Sequence, residues 1–245
     1  MVLAAGRGER MRPLTDTTPK PLLPVRGKPL MQWALEALAE GGFRRFVVNT
    51  AWLGEQVESR IGTAPAWRPG AALSVAYSHE GRDFGGALET AGGIVRALPL
   101  LGEVFWAAAG DVFAPDFVFT QAAVDRFVAS GMLAHLWLVP NPVHNPKGDF
   151  GLTKEYLATN QGVDGPDPRY TFSTIGLYRA ALFAPPFCDI PPGNPAGVKA
   201  PLAPLLRAAM DNGRISAELY TGAWTDVGTP ERLAHLNTTT TTTAP

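Results

Sequence analysis

Val2-Leu3-Ala4-Ala5-Gly6-Arg7-Gly8-Glu9-Arg10-Met11-Arg12-Pro13-Leu14-Thr15-Asp16-Thr17-Thr18-Pro19-Lys20-Pro21 opens the chain. The apolar run Val2–Ala5 predicts a short buried strand. It runs into Gly6-Arg7-Gly8, a sequence that neither strand nor helix favours. Glycines at such a turn let the backbone approach a ligand, and successive N–H groups can form a nest for an anion. Three arginines (7, 10 and 12) follow, and then Lys20 between two prolines. A glycine turn with fixed cations after a first strand suits the phosphates of a nucleotide. The stretch fits neither of two familiar phosphate loops. A P-loop needs Gly-x4-Gly-Lys-Ser/Thr, and the dinucleotide fingerprint needs a third glycine where this chain has Met11.

The chain has 245 residues, 46% of them hydrophobic, enough for one large α/β domain or two small ones. With 21 basic and 22 acidic residues it offers no general surface for nucleic acid. The cations gathered in the first loop suit a small anion instead. No apolar stretch is long enough to span a membrane, and the opening does not read as a signal peptide. The lone Cys188 excludes an internal disulfide framework and fits a reducing cytoplasm.

Downstream, apolar runs alternate with amphipathic ones. Strands are expected at 2–5, 44–50, 73–78, 104–109 and 133–139, and helices at 30–40, 53–61, 90–98 and 120–130. This alternation predicts an α/β fold with a parallel sheet covered by helices on both faces. Ligands in such sheets lie beyond the carboxyl ends of the strands, where the Gly6 loop and Asp111 both fall. After Pro140 the texture changes to a polar loop, 141–149. Strands at 149–153 and 170–179 flank a turn at 162–168, and an antiparallel insertion is expected there. A helix follows at 202–211. Residues 1–237 read as a single domain, with halves 1–139 and 140–237. The Thr-rich tail 238–245 cannot form a core and is expected to be disordered.

The pattern L-A-A-G-x-G-x-R-M-x-P-L-T-x-x-x-P-K-P, from Leu3 to Pro21, resembles the sugar-1-phosphate nucleotidyltransferases, which make nucleoside-diphosphate sugars from an NTP and a sugar 1-phosphate. The resemblance implies their Rossmann-like three-layer sandwich, a mostly parallel sheet with a small antiparallel insertion over the sugar. It also implies attack of the sugar phosphate on the α-phosphorus of the NTP, with pyrophosphate leaving. Such chemistry is catalysed by positioning and charge neutralisation. By resemblance Arg10 binds the leaving phosphates and Lys20 contacts the α-phosphate. Leu3, Ala4, Ala5, Gly6 and Gly8 form the nucleotide loop. Asp111, in Gly110-Asp111, and Asp226, in Trp224-Thr225-Asp226-Val227-Gly228-Thr229, match the family's carboxylates for Mg²⁺. That ion favours one or two carboxylates with phosphate oxygens and water. Asp116 fits either a second acid or a turn residue.

Glu89, Thr90 and Gly92, in Leu88-Glu89-Thr90-Ala91-Gly92-Gly93, resemble the segment along base and ribose; Thr90 would serve equally as a helix cap. Gly-Arg-Gly-Glu-Arg-Met, Asn49–Gly54 and Thr171–Gly176 look most like the N-acetylmuramate 1-phosphate uridylyltransferases of cell-wall recycling. UTP and that sugar phosphate are the partners implied. Thr174 stands where that subgroup is expected to have glycine. Asn141, Asp149 and Lys199 are the sugar-contact candidates, and His144 could touch sugar hydroxyls. Lys147, Arg169 and Lys199 are available for the lactyl carboxylate or are surface cations. Competing readings are a mannose-1-phosphate guanylyltransferase, a glucose-1-phosphate thymidylyltransferase and a non-catalytic nucleotide-binding paralogue. Such a paralogue would be expected to lose Arg10, Lys20 or a metal carboxylate.

Overall fold

The computed structural model describes residues 1–68 and 70–238. The disorder expected for the tail concerns residues 239–245, outside that set, together with Thr238, which ends the last helix. In chain order the strands are β1 Val2–Leu3, β2 Pro24–Val25, β3 Lys28–Pro29, β4 Arg45–Thr50, β5 Ser74–His79, β6 Val104–Ala109, β7 Val112–Phe113, β8 Ala134–Val139, β9 Phe150–Leu152, β10 Ala158–Thr159, β11 Arg169–Arg179, β12 Ile215–Leu219 and β13 Thr225–Asp226. The helices are α1 Leu14–Thr17, α2 Leu30–Glu40, α3 Gly54–Ile61, α4 Glu80–Phe84, α5 Glu89–Ala97, α6 Gln121–Ser130, α7 Leu202–Asp211 and α8 Pro230–Thr238.

The central sheet runs β10-β9-β11-β6-β1-β4-β5, with β8 paired to β11 and β12 paired to β8. Strands β6, β1, β4 and β5 are parallel, as expected from the βα alternation. The segment expected as an insertion is part of this sheet. Strand β11 lies antiparallel between β6 and β8, and its first residues also pair with β9. A register shift between Phe172 and Gly176 lets this long strand bend from the core toward β9.

Side chains alternate across the sheet, as a pleated strand requires. Trp106 and Ala108 pack with Met31, Leu35, Val57 and Phe127, on the face covered by α2, α3 and α6. Phe105 and Ala107 pack with Ile94, Val95, Leu202 and Leu206, on the face covered by α5 and α7. A third, smaller cluster joins Met11 to Phe113, Val227, Leu233 and Leu236. Met11 therefore anchors the first loop to the segment that carries Asp226. It is fully buried, which stabilises the loop by roughly 1.5–3 kcal/mol.

Helix ends follow local chemistry. The Thr120 hydroxyl accepts from the Ala123 N–H (3.1 Å), so α6 begins one residue later than the pattern suggests. Helix α5 begins at Glu89 with Leu88 as its cap residue, so Thr90 lies inside the helix and does not cap it. Among the described residues no helix is long and apolar enough to cross a membrane.

Candidate active site

The first loop is held by its own side chains. Gly8 takes φ +65°, and its carbonyl accepts from the Thr15 hydroxyl (2.9 Å). A Cβ at Gly8 would also press on Lys20 Cβ at 3.0 Å. Arg7 donates to the Thr15 carbonyl (2.8 Å), pairs with Asp16 (3.1 Å) and lies 3.7 Å from the Trp52 ring centre. Arg12 pairs with the same Asp16 oxygen. Two of the three loop arginines are thus occupied in shaping the loop. Arg10 is exposed and makes no ion pair among the described residues. At Gly6 a Cβ would meet nothing within 4 Å, and Gly6 lies in the wall of the cavity described below.

Beyond the loop, charges converge from distant parts of the chain. Lys20, 8% exposed, donates to Asp111 Oδ2 at 2.6 Å. Gly110 permits this placement, since a Cβ there would come within 2.9 Å of the Leu3 carbonyl. The two-stranded ribbon of β7 and β13 sets Asp226 opposite Val112, and the Val227 N–H donates to the Asp111 carbonyl (2.9 Å). The ribbon thereby brings the two acids named from the sequence side by side. Asp226 Oδ2 accepts from Arg232 (2.7 Å), and Oδ1 lies 3.0 Å from His144 Nε2. A Cβ at Gly228 would lie 3.2 Å from Asp226 Oδ2 and 3.6 Å from an Arg10 guanidinium nitrogen. Arg10 therefore sits at the Asp226 end of the group. No cluster of three or more His, Cys, Asp or Glu among the described residues is arranged to hold a metal. Two neighbouring carboxylates are a donor set for Mg²⁺ that fills its remaining positions with phosphate oxygens and water.

A cavity of about 600 Å³ opens at the carboxyl ends of β1, β4 and β6. One wall consists of Leu3, Ala4, Ala5, Gly6, Lys20, Asn49, Glu80, Glu89, Thr90 and Asp111. A buried polar chain stiffens it. The Ala4 N–H donates to Asn49 Oδ1 (2.9 Å), the Asn49 amide to Glu80 Oε1 (2.7 Å), and the Leu88 N–H to Glu80 Oε2 (2.7 Å). Glu80 is fully buried, and that burial raises its pKa against the lowering effect of the Leu88 N–H, Asn49 and Arg96. Sequence reading assigned no role to Asn49 or Glu80. Gly92 and Gly8 lie outside the cavity wall. Gly92 instead permits close packing, because a Cβ there would come 2.5 Å from the Val198 carbonyl. The first turn of α5 is also closed to ligands at two donors. The Ala91 and Gly92 N–H groups both donate to the Ala200 carbonyl.

The opposite wall comprises Asp149, Phe150, Phe172, Thr174, Tyr178, Leu202, Ala203, Leu206 and Arg207. Of the sugar candidates, Asp149 is here, its oxygens accepting from the Phe172 N–H (2.8 Å) and the Asn145 amide (3.1 Å). Asn141 and Lys199 are not in the wall. Asn141 staples its own loop, donating to the Pro146 and Arg169 carbonyls and accepting from Thr171. Lys147 and Lys199 are exposed outside the cavity. Arg169 is engaged by the carbonyls of Lys147, Gly148, Asp149 and Gln161. His144 lies beside Asp226 rather than in this wall. Thr174 has φ +65°, within the register shift of β11, and its buried hydroxyl lacks a partner among the described residues. That conformation accounts for the glycine expected there, since a β-branched residue is strained in it. The aromatic residues and Arg207 were missed because they are scattered over 58 positions with no local motif.

The family model for nucleotidyl transferases matches residues 1–163. The N-acetylmuramate alpha-1-phosphate uridylyltransferase of Neisseria meningitidis serogroup B is 48% identical over 95% of this chain and 94% of its own. The UTP–glucose-1-phosphate uridylyltransferase of Synechocystis sp. is 37% identical, over 45% of this chain and 30% of its own. The solved structure of the inositol-1-phosphate CTP transferase from T. maritima superposes with TM-score 0.67 at 20% identity, covering 96% of this chain and 92% of that one, which bears on the fold alone. With the glycine loop, the lysine–aspartate pair and the two-walled cavity in place, the chain belongs to the nucleotidyl transferase family.

Proposed function

We propose that the protein transfers the uridylyl group of UTP to N-acetylmuramate 1-phosphate, forming UDP-N-acetylmuramate and pyrophosphate. One observation carries this reading: similarity to the muramate enzyme runs through both walls of the cavity, whereas similarity to the glucose enzyme spans less than half the chain. In the reaction a phosphate oxygen of the sugar bonds to the α-phosphorus of UTP. The bond to the β-phosphate oxygen breaks, and pyrophosphate carries away the charge. Lys20 offers an ammonium to the α-phosphate, and Arg10 offers a guanidinium to the departing phosphates. Asp111 and Asp226 would hold Mg²⁺, which when bound offsets the phosphate charge. Glu89 and Thr90 flank the nucleoside, and the 149–207 wall receives the sugar. The UTP requirement and a buried free thiol, Cys188, suit a cytoplasmic reaction.

Pyrophosphate release, with the four NTPs and dTTP crossed against a panel of sugar 1-phosphates, tests the reading. The highest kcat/KM is expected for UTP with N-acetylmuramate 1-phosphate. A preference for GTP with mannose 1-phosphate, or equal rates with N-acetylglucosamine 1-phosphate, would overturn it.

A further inference from the structure

We propose that Arg207 selects the sugar, its guanidinium pairing with the lactyl carboxylate at the far wall of the cavity. The proposal rests on the muramate reading above. Helix α7 presents Ala203, Leu206 and Arg207 to the cavity, a spacing of three and four residues that sets them on one helix face. Arg207 lies 5.8 Å from the centre of the Phe150 ring and makes no ion pair or hydrogen bond among the described residues.

Of the four acids that line the cavity, Glu89 lies on the opposite wall, and the other three are already engaged. Asp149 is held by Phe172 and Asn145, Asp111 by Lys20, and Glu80 by Asn49 and Leu88. The cavity wall contains two cations, Lys20 and Arg207, and of these only Arg207 lacks a carboxylate. Lys20 lies on the opposite wall, and Arg10 lies outside the cavity at the Asp226 end of the charged group. What remains is the guanidinium of an exposed arginine near the Phe150 ring, in a wall that also holds Phe172 and Leu206. A lactyl group carries a methyl and a carboxylate on one carbon, so it matches an apolar wall that contains one cation. Guanidinium and carboxylate pair bidentately, which fixes orientation as well as charge.

The test compares wild type and Arg207→Gln on UTP with three sugar 1-phosphates: N-acetylmuramate, its neutral lactyl methylamide, and N-acetylglucosamine. In the wild type, converting the carboxylate to the amide is expected to lower kcat/KM by about ten- to hundredfold, through KM. In Arg207→Gln the two muramates should become equivalent within about threefold, and Arg207→Lys should restore part of the difference. If Arg207→Gln keeps the wild-type carboxylate preference, the assignment is overturned. It is equally overturned if all three sugars fall by the same factor, since that marks a structural role. If the wild type itself does not favour N-acetylmuramate 1-phosphate, the substrate reading fails and Arg207 with it. The wild-type measurements alone distinguish that case.

Discussion

The two walls of the cavity are built by opposite means. The wall on the first-loop side is backbone and buried polar groups: a glycine loop, an ion pair and the chain from Ala4 through Asn49 and Glu80 to Leu88. The opposite wall is mainly side-chain surface, offered by a bent antiparallel strand and one face of α7. A wall made of backbone fixes the part of the reaction shared by every substrate, whereas a wall made of side chains can change with the sugar. The contrast implies that damage to the first wall removes chemistry or fold, and damage to the second alters preference.

The largest effect is expected at the ion pair. Lys20→Ala and Asp111→Ala should each lower kcat by roughly two to three decades at saturating UTP, as loss of a single transition-state group does. Lys20→Arg should fail as well, because a planar fork does not fit the place of an ammonium beside Asp111. If Lys20→Ala raised only KM for UTP, the lysine would belong to ground-state binding, and the contrast between the walls would weaken.

Next comes the buried chain. Glu80→Ala would strand the Leu88 N–H and the Asn49 amide, each costing about 1–3 kcal/mol, so urea unfolding should show a loss of about 3 kcal/mol. The pH dependence has a definite sign. Burial raises the Glu80 pKa above its ordinary 4.5, so the folded protein holds the proton more tightly than the unfolded chain. Stability from this group is therefore full below pH 4.5 and lost as pH rises through the folded pKa. Wild type should gain on Glu80→Gln as pH falls through that window.

In the opposite wall the sign reverses. Thr174→Gly should stabilise the protein by about 1 kcal/mol, read as a raised Tm, because it relieves a left-handed β-branched residue and removes an unpartnered hydroxyl. A lowered Tm would mean that the threonine methyl contributes more packing than the backbone strain costs.

The smallest effect is expected at the surface. Asp83 pairs with Arg96 (2.6 Å) and Arg82 (3.1 Å), and these hold its carboxyl below the usual range. Its contribution is present above pH 3.8 and lost as pH falls. Asp83→Asn should cost under about 1 kcal/mol, and less in high salt.

The sequence was legible where one local run of residues carries a whole device. The Gly6 loop, Lys20 between prolines, and the βα alternation belong to this class, and their positions agree to within a few residues. Asp111 and Asp226 were legible as separate motifs, but their adjacency depends on a two-residue ribbon and on Met11 packing against Val227. Asn141 and Lys199 lie outside the cavity wall, and a polar residue beside a glycine-containing loop reads alike whether it faces a ligand or, as Asn141 does, its own backbone. Glu80 carries no local motif, and only the fold shows both its oxygens occupied. The left-handed backbone at Thr174 leaves no mark in composition or periodicity. Arg207 carries no local motif, and only the fold brings it to the cavity.

Residues 193–200 bear on how such walls can be exchanged. Asn194, fully buried, donates to the Gly92 and Val198 carbonyls and accepts from the Val198 N–H, while the Ala200 N–H donates to the Leu88 carbonyl. These bonds fasten the segment to the first turn of α5, and α7 begins two residues after Ala200. Helix α7 thus inherits its place from α5. A helix transplanted alone from a relative with another sugar would arrive without its footing. The smallest portable unit is the stretch 193–211 together with Gly92, which lets it sit down.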